Sequence, residues 1–497
     1  MDTPRLPYVS GFARRGDGGE GGPGPKAVGK ALRETVPRSA HAALVVGGGR
    51  PGAVAAVEES NADRLPELVP IRVGRMAASP FAFLRGSAGL MAYDLMTTPV
   101  TGIAAQICGD AHAANFGLYA DARGRLVIDL NDFDETVRGP WEWDLKRLAA
   151  SLVLAGREAG ADEDVCRDAA RDAAGAYRRT MRLLARMPAL DAWHAIVDED
   201  LVSHADARDL VGTLERVMDK ARRNTSARFA AKATEEVPGD GGGSGGTAGG
   251  GTGAGRGGVL RRFVDAPPVL RRVPDAEAAA VVTGLAGYLR TLPDDRRPLL
   301  SRYAVHDVAF RVVGTGSVGL RSYVVLLLDH LGEPLVLQVK EVRASALVPY
   351  VQKAGFEVTP VEHEARRVVL GQKRMQVVSD MLLGWTTVYG GEAGPDGRRE
   401  GLPFQVRQFR NRKGSVDPAA LPADELDDYA RMTGALLARA HAHSADPRLV
   451  AGYCGKNGAL DEALASFAVA YADRTEADHQ ELVTAVRNGR MAAEPGV

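Results

Sequence analysis

The sequence predicts an α+β fold with a mainly helical large lobe and a smaller β-rich lobe. Segments with the periodicity of amphipathic helices dominate the first half of the chain and return after residue 420. Between them, short runs of β-branched and large apolar residues alternate with glycine-rich turns, which is typical of antiparallel strands.

The composition is that of a globular protein with sizeable cores. Of the 497 residues 45% are hydrophobic, and a net charge of −1 gives no reason to expect nucleic acid or an anionic membrane as a partner. The three cysteines are too widely spaced for a zinc site or a disulfide framework. No signal peptide or membrane-spanning segment is visible, so we expect a cytoplasmic protein. No pattern indicates its oligomeric state.

Composition divides the chain into five parts. We expect a disordered tail over 1–35, the catalytic-loop part of the helical lobe over 36–237, and a glycine-rich segment over 238–258. This segment is either a linker or a surface loop. The β-rich lobe follows over 259–420, and helices over 421–490 complete the helical lobe.

Before the glycine-rich segment, helices flank a group of short strands. PFAFLRGSAGLMAYDLM at 80–96 predicts a helix with one apolar face, and short strands follow within 103–135. The residues ARG at 122–124 predict a hairpin turn between two of them. Long helices are predicted at 141–160 and 165–187.

After the glycine-rich segment the chain changes from strands to helices. RVVGTGSVGLRSYVVLLLD predicts two strands joined by a glycine turn, and PLVLQVKEV adds a third strand. The remaining elements are a helix at 361–380, a strand at 404–410, and helices at 426–445 and 460–489.

Gly314, Gly316 and Gly319 form a GxGxxG pattern in the turn of this hairpin. Alone it carries little information, because 58 glycines give about one match by chance. The strand after Gly319 excludes the strand–turn–helix of a dinucleotide-binding fold. A glycine turn within a hairpin instead covers nucleotide phosphates in protein kinases, so these glycines and Ser317 are candidate nucleotide-binding residues.

Lys340 lies in the otherwise apolar strand that follows this hairpin. A buried lysine needs a counter-charge, and Glu362 and Glu364 open the next predicted helix. In a kinase-like site Lys340 would bind phosphate oxygens and pair with one of these glutamates, for which we select Glu364. The alternative is a simple hairpin whose lysine extends to the surface.

Asp110 and Asn115 in CGDAHAANFG have the DxxxxN spacing of a kinase catalytic loop. There the aspartate orients the acceptor hydroxyl and the asparagine oxygen binds Mg²⁺. NDFDE on the next strand then offers Asp132 as a metal ligand and Asp134 as its helper, with Asp129 as a competitor. Hard oxygen ligands suit Mg²⁺, and the segment lacks the glycine and glutamate of an EF-hand.

The order of these motifs differs from that of a protein kinase. The catalytic loop and the metal aspartates come first, and the glycine hairpin and Lys340 come about 200 residues later. The sequence therefore predicts a circularly permuted, two-lobed protein kinase-like fold. Permutation is tolerated where the termini lie close together and the joints are exposed.

The catalytic loop resembles that of the aminoglycoside and choline phosphotransferases. GD-x-H-x-x-N, from Gly109 to Asn115, is similar to their HGDxHxxN, with Cys108 in place of the first histidine. GPWEWDLKRLAAS is similar to their GxPxxDLA and implies that Asp144 bonds the loop backbone. LLARAHAHS resembles the helix that precedes their loop. This resemblance implies a small-molecule hydroxyl as the acceptor.

The whole chain, from about residue 40 to 490, resembles the bacterial family called domain of unknown function 2252. The resemblance implies a kinase-like fold without an assigned reaction. It rests on the segments RMAASPFAFLRG, CGDAHAANFG, DLNDFDET, GPWEWDLKRLAAS, VGTGSVGLRSYVVLL, LQVKE, GQKRMQVVSDMLLGW, VRQFRNRKGS and AYADRTEADH.

These patterns favour an ATP-dependent, Mg²⁺-requiring phosphotransferase in which Asp110 and Lys340 are catalytic residues. A nucleotide-binding protein without turnover is the first alternative. A metal-dependent hydrolase that uses His112 is the second, although no HxH or HxxxH partner stands near it. In the kinase-like reading, His112 stabilises the catalytic loop by a hydrogen bond.

Basic residues outside these motifs are further candidates for contact with phosphate or an acidic substrate. Arg75 and Arg85 precede the catalytic loop, and a second group follows the strand where a kinase hinge would lie. Solvated or helix-packing arginines are the alternative. The second group consists of Arg407, Arg410, Arg412 and Lys413.

Overall fold

The structure is a computed structural model that describes residues 23–195, 209–237, 260–312, 314, 316–390 and 400–494. It has a mixed α+β fold with several antiparallel sheets. The predicted glycine-rich segment at 238–258 lies entirely outside the described residues. None of the described helices is long and apolar enough to cross a membrane.

The helices of the described residues lie mainly at the two ends of the chain. They are α1 (Pro25–Thr35), α2 (Ala53–Asn61), α3 (Val69–Met76), α4 (Pro80–Gly86), α5 (Ala88–Leu95), α6 (Trp141–Glu158), α7 (Glu163–Leu184), α8 (Ala189–His194), α9 (Val211–Arg222), α10 (Ser226–Ala233), α11 (Asp275–Thr291), α12 (Arg297–Leu300), α13 (Val348–Lys353), α14 (Glu364–Met375), α15 (Ala423–Ala442), α16 (Pro447–Cys454) and α17 (Ala459–Arg487). Short 3₁₀ turns cover Arg38–Ala42, Pro66–Leu68, Ala113–Asn115 and Pro418–Ala420.

The strands form one large and three small sheets, all of them antiparallel. The large sheet has the order β11-β12-β10-β9-β8-β7, and the small sheets are β1-β4, β13-β2-β3 and β5-β6. The strands are β1 (Ala104–Ile107), β2 (Phe116–Ala120), β3 (Leu126–Leu130), β4 (Val137–Pro140), β5 (Thr234–Val237), β6 (Leu260–Phe263), β7 (Leu270–Arg272), β8 (Ala304–Arg311), β9 (Ser322–Leu328), β10 (Pro334–Glu341), β11 (Gly384–Tyr389), β12 (Gly401–Gln408) and β13 (Gly414–Ser415).

The predicted helices and strands are confirmed with shifts of a few residues at their ends, with three exceptions. The strand predicted to begin at 311 lies earlier, at Ala304–Arg311. The tail prediction is wrong for α1, where Pro25 at the first turn starts a helix that packs on α16. The predicted helix at 80–96 is broken at Ser87, whose backbone leaves the helical region and whose hydroxyl donates to the carbonyl of Phe83. Residues 1–22 of the predicted tail lie outside the described part of the chain.

The large sheet is covered on both faces, which explains why β9 is buried at every position and apolar after Ser322. Tyr323, Val325 and Leu327 pack toward α11 in one core, and Val324 and Leu326 pack in another core with residues of α10. In β10, the two-residue repeat puts Val336, Gln338 and Lys340 on the same face. Lys340 pairs across the sheet with Ser322 and Gln405, so a polar stripe crosses that face.

The helical part forms one continuous core around α6, α7, α15 and α17. One close helix contact lies at Gly434 of α15, where an added Cβ would be 2.1 Å from the carbonyl oxygen of Ala173 in α7. The strands β1 to β4 lie against this core and carry the loop from Cys108 to Asn115. The helical core therefore supports the segments that hold the predicted catalytic residues.

Candidate functional site

The backbone of the loop at 108–115 is fixed by Asp144 of α6. Its carboxylate accepts hydrogen bonds from the N–H groups of Cys108, at 2.6 Å, and Gly109, at 2.9 Å. His441 contacts the same carboxylate at 3.2 Å. Gly109 has a φ of +80°, and a Cβ there would lie 2.3 Å from the carbonyl oxygen of Glu135. The contacts implied for Asp144 are therefore present.

Cys108, which replaces the first histidine of the phosphotransferase pattern, joins the two loops of the site. Its thiol donates to the carbonyl of Asp132 at 3.0 Å and contacts the amide nitrogen of Asn115 at 3.3 Å. Burial and the nearby Asp144 raise the pKa of the thiol well above its ordinary value. Cys108 therefore acts here as a neutral hydrogen-bonding group.

One carboxylate oxygen of Asp110 is held by an arginine, and the other lies nearer to His112. Arg147 Nε lies 2.5 Å from its Oδ1, while His112 Nε2 is 3.8 Å from its Oδ2. Burial raises the pKa of Asp110 to about 6, although Arg147 opposes the change. Arg147 was missed by the sequence analysis, although its spacing of three residues from Asp144 places both on one face of α6.

His112 is 8% exposed, and its ring meets Phe81 edge to face at a centroid distance of 6.4 Å. Its Nδ1 is buried without a hydrogen-bond partner among the described residues. Burial, with Arg85 and Arg147 nearby, lowers the pKa of His112 well below its ordinary value. His112 is therefore a neutral ring beside Asp110.

Asn115 stabilises the junction between the two loops. Its Nδ2 donates to the carbonyls of Asp110 at 3.0 Å and Asp132 at 2.9 Å, and its Oδ1 accepts from the N–H of Asp132 at 2.8 Å. One lone pair of Oδ1 remains beyond this bond. The metal role of Asn115 stays a prediction, and its role in this structure is to position Asp132.

Asp129 was a competitor for the metal, but the structure places it elsewhere. It is fully buried, and both of its oxygens lie 2.7 Å from Arg439 Nη2. Its oxygens also accept from the N–H groups of Leu130 and Val377. Asp129 therefore belongs to a buried ion pair between β3 and α15.

Lys340 meets the two aspartates that follow β3. Its Nζ lies 2.5 Å from Asp134 Oδ2 and 3.5 Å from Asp132 Oδ1. Burial would lower the pKa of Lys340, but these two carboxylates raise it above its ordinary value. Segments that are 206 residues apart in sequence thus form one cluster of charges.

The pKa values of the two aspartates are shifted in opposite directions. Burial would raise the pKa of Asp132, but Lys340 and Arg407 hold it well below its usual range. Burial and the neighbouring Asp132 raise the pKa of Asp134. The Oδ1 of Asp134 is buried and has no hydrogen-bond partner among the described residues.

The predicted pairing of Lys340 with a glutamate of the following helix is wrong. Glu364 instead pairs at 2.6 Å with Arg367, one turn further along α14, and Glu362 is exposed. Arg367 also donates to the carbonyls of Asp134, Thr136 and Arg343. Helix α14 therefore contacts the loop between β3 and β4, residues 131–136, through an arginine. This carboxylate loop supplies the counter-charge of Lys340.

The glycine turn between β8 and β9 lies beside this cluster. Ser317 Oγ is 3.3 Å from Asp134 Oδ2, and the carbonyl of Gly319 accepts from the N–H of Leu65. At Gly319, with a φ of +92°, a Cβ would be 2.8 Å from the Cβ of Arg64. Gly314 has a φ of +58°, while Val313 and Thr315 lie outside the described residues.

One cavity of about 330 Å³ brings the loop, the aspartates and the glycine turn together. Four arginines line it as well. Arg343 pairs with the exposed Asp63 at 2.7 Å, and the other three, Arg64, Arg72 and Arg85, form the basic cluster. Lys340, Asn115 and Glu364 are not among the lining residues. The acidic cluster of the same cavity consists of Asp110, Asp132, Asp134 and Glu135, and Gly316 and Ser317 come from the turn.

A bacterial protein family matches most of the chain. The match covers residues 64–246 and 251–485, and the family is described as uncharacterized protein conserved in bacteria (DUF2252). The chain belongs to the DUF2252 family. No curated protein and no solved structure matches the chain. The DUF2252 match contains both clusters of the cavity and Lys340.

Donors for a metal ion in this DUF2252 protein are few. Within the described ranges, no group of three or more His, Cys, Asp or Glu side chains is arranged to hold a metal ion. Two carboxylates, Asp132 and Asp134, lie next to each other, and Asp134 Oδ1 lacks a partner. Such a pair suits Mg²⁺, which is usually bound by one or two carboxylates together with substrate phosphates and water.

The basic residues after β12 differ in their surroundings. Arg407 donates to Gln338 at 3.0 Å, and Arg412 donates to the carbonyl of Gly124. Burial and the nearby Arg407 lower the pKa of Lys413 to about 7. Arg410 contacts Asn224. Arg407 and Lys413 thus lie on the Asp132 side, whereas Arg410 and Arg412 make packing contacts.

Proposed function

We propose that this DUF2252 protein is an ATP-dependent, Mg²⁺-requiring phosphotransferase that acts on a small-molecule hydroxyl. The observation that carries the proposal is the contact of Lys340 with Asp134 and Asp132, next to Asp110 and the glycine turn. A phosphate-binding lysine, metal-binding carboxylates and an aspartate base are the parts that phosphoryl transfer needs in a protein kinase-like site.

The arrangement of elements supports a circularly permuted protein kinase-like fold. The hairpin β8–β9, the lysine strand β10 and the helix α14 follow each other as the glycine loop, lysine strand and next helix do in kinases. The loop with Asp110 and the aspartates after β3 come earlier in the chain, yet Asp132 and Asp134 contact this lysine and line one cavity with Asp110. The segments lie in swapped order along the chain but still contribute to one cavity. A permuted fold requires this, whereas two unrelated motifs would not.

In this proposal, each charged residue around the cavity has a role in binding the nucleotide or the metal. Lys340 binds oxygens of the β- and γ-phosphates, and the backbone of the turn at Gly316 and Ser317 covers them. Asp132 and Asp134 hold the metal. When bound, Mg²⁺ neutralises phosphate charge and orients the triphosphate for transfer. The lysine must then leave part of its contact with Asp134 to reach the phosphates.

Asp110 is placed to act on the acceptor. Its Oδ2 takes the proton of the acceptor hydroxyl while Arg147 holds Oδ1 in place. The acceptor oxygen forms a bond to the γ-phosphorus, and the bond from that phosphorus to the β–γ bridging oxygen breaks. The electron pair leaves with ADP, so the products are ADP and a phosphate monoester.

A nucleotide-binding protein without turnover is the second candidate function. It is favoured by one observation, which is that Lys340 pairs with the carboxylate loop and not with Glu364. In active protein kinases the lysine pairs with a glutamate of that helix. The hydrolase alternative has no comparable support, because His112 belongs to no group of three or more metal-ligating side chains among the described residues.

A nucleotide titration with and without Mg²⁺ tests the proposal. Wild type is expected to bind ATP more tightly with Mg²⁺, and Lys340→Ala is expected to weaken binding at least tenfold in both conditions. Asp132→Ala should abolish the Mg²⁺ dependence. Arg228→Gln, which changes an exposed arginine of α10 outside the cavity, is the control. Equal binding by wild type, Lys340→Ala and Asp132→Ala would refute the proposal.

A further inference from the structure

The basic cluster carries positive charge that no described carboxylate meets in an ion pair. Arg64, Arg72 and Arg85 line the same cavity as four carboxylates of the acidic cluster, and Glu59 lies at that cavity too. Those of the acidic cluster that form ion pairs do so with other cations: Asp110 with Arg147, and Asp132 and Asp134 with Lys340. In the described structure none of the three arginines forms an ion pair.

Two members of the basic cluster bond only neutral groups. Arg72 is 2% exposed and donates to Asn61 Oδ1 and to the carbonyl of Gly86, both at 2.7 Å, while its Nε has no partner. Arg64 donates to the carbonyls of Ser60 and Val318. Burial lowers the pKa of Arg64 to about 10, with Arg343 acting in the same direction. Burying a guanidinium without a counter-ion costs free energy, which an anionic ligand would recover.

Arg85 is the member with the fewest contacts. Its guanidinium lies 5.9 Å from the ring centre of Phe81, and its Nε is buried without a partner. Within the described residues it makes no hydrogen bond or ion pair through its side chain. Its backbone carbonyl is 3.7 Å from where a Cβ of Gly316 would stand, so it lies beside the glycine turn. Its charge also acts on His112, the neighbour of Asp110.

We infer that the acceptor is an anionic hydroxy compound, a carboxylate or a phosphate ester, whose anionic group is bound by the basic cluster while its hydroxyl meets Asp110. This inference rests on the proposed function for the hydroxyl, but not for the anionic group. A guanidinium binds carboxylate and phosphate through paired N–H groups, and repels a cation. Cationic acceptors such as choline or aminoglycosides do not fit these three arginines.

The main competing use of the basic cluster is contact with the phosphates of the nucleotide. The two uses can be told apart by which substitution weakens binding of which ligand. In our inference, Lys340 contacts the nucleotide and Arg85 contacts the acceptor. Calorimetric titrations of the full chain therefore use three probes separately: inorganic phosphate, choline, and a non-hydrolysable ATP analogue with Mg²⁺. Phosphate and choline are added both to the free protein and to protein saturated with the analogue.

The inference predicts that phosphate binds wild type in both states and that choline does not. Arg85→Gln should weaken phosphate binding about 10- to 100-fold and change the affinity for the ATP analogue by less than twofold. Arg85→Lys should restore part of the phosphate affinity. Lys340→Ala should show the reverse pattern, and Arg228→Gln should behave like wild type. Melting temperatures of all variants show that each is folded.

Three results would overturn the inference. They are unchanged phosphate affinity in Arg85→Gln, a loss of analogue affinity in Arg85→Gln equal to that in Lys340→Ala, or tighter binding of choline than of phosphate. If the wild-type protein does not bind the ATP analogue but its phosphate binding still depends on Arg85, the phosphotransferase proposal fails and the anion site stands. The two failures are therefore distinguishable.

Discussion

Lys340 Nζ lies 2.5 Å from Asp134 Oδ2, which joins the third strand after α11 to the loop that follows β3. The pair is buried on the lysine side and partly open on the aspartate side, where the side chain is 24% exposed. Because the second oxygen of Asp134 has no partner, the lysine is the main compensation for two adjacent carboxylates. The first prediction concerns this pair.

Replacing Lys340 with methionine removes the ammonium but keeps an unbranched chain of similar length. We expect Lys340→Met to abolish measurable phosphoryl transfer and to lower the free energy of unfolding at pH 7 by about 1–3 kcal/mol, since it leaves the partly buried Asp134 and the half-exposed Asp132 without their ammonium partner. The loss should shrink at pH 4, where Asp134, whose pKa is raised, takes up a proton. Urea unfolding at the two pH values measures it, and an equal loss at both would contradict the explanation.

Asp132 and Asp129 are three residues apart but are expected to respond oppositely to the same substitution. Asp132→Asn should remove the Mg²⁺ dependence of nucleotide binding and change stability by less than 1 kcal/mol, because its side chain is half exposed. Asp129→Asn should destabilise the protein by about 3–5 kcal/mol, since Arg439 would lose its buried partner. Thermal unfolding and nucleotide titration of both variants check the pair. Loss of the Mg²⁺ effect in a folded Asp129→Asn protein would reverse the assignment.

The rate of phosphoryl transfer should depend on the ionisation of Asp110. Its pKa is raised to about 6, so the basic carboxylate is present above this pH and is lost below it. We therefore expect kcat/KM to rise with pH and to level off above about pH 6. Asp110→Asn should lower kcat by about 10²- to 10⁴-fold with little change in nucleotide affinity. A pH profile that stays flat from pH 5 to 8 in wild type would argue against Asp110 as the base.

The contact between α7 and α15 gives a prediction that is independent of function. Gly434→Ala places a Cβ 2.1 Å from the backbone carbonyl of Ala173, and two helices must separate to admit it. We expect a loss of about 1–3 kcal/mol or more. Gly212→Ala, within the exposed part of α9, is the matched control and should stabilise the protein by up to about 1 kcal/mol. Urea unfolding of the two variants should therefore shift in opposite directions.

Sequence patterns predicted the local elements of this fold well, because periodicity and turn residues act over short distances. The hairpin β8–β9, the lysine strand β10 and the helix α14 all lie near their predicted positions. The exception at Ser87 arises because its hydroxyl competes for helix carbonyls, a choice that the apolar pattern of 80–96 does not reveal.

Partners of charged residues were predicted less well, because they depend on packing between distant segments. A shared site for Lys340 and the aspartates followed from the kinase-like interpretation of the motifs, but the predicted glutamate pairing failed because Glu364 pairs with Arg367. Arg147 was missed although its spacing from Asp144 offered a signal. The basic cluster was suspected only at Arg85, since Arg64 and Arg72 lie in segments without a recognisable motif.

The separation of 206 residues between Asp134 and Lys340 also sets a timetable for synthesis. At about 5–20 residues per second, the aspartate leaves the ribosome roughly 10–40 s before its lysine is translated. During that interval the nascent chain carries the carboxylate loop without its cation, so the loop cannot reach its final arrangement. This cluster of charges is thus completed late, and a chain whose translation stops before residue 340 would also lack the helices α15 and α17 of the helical core.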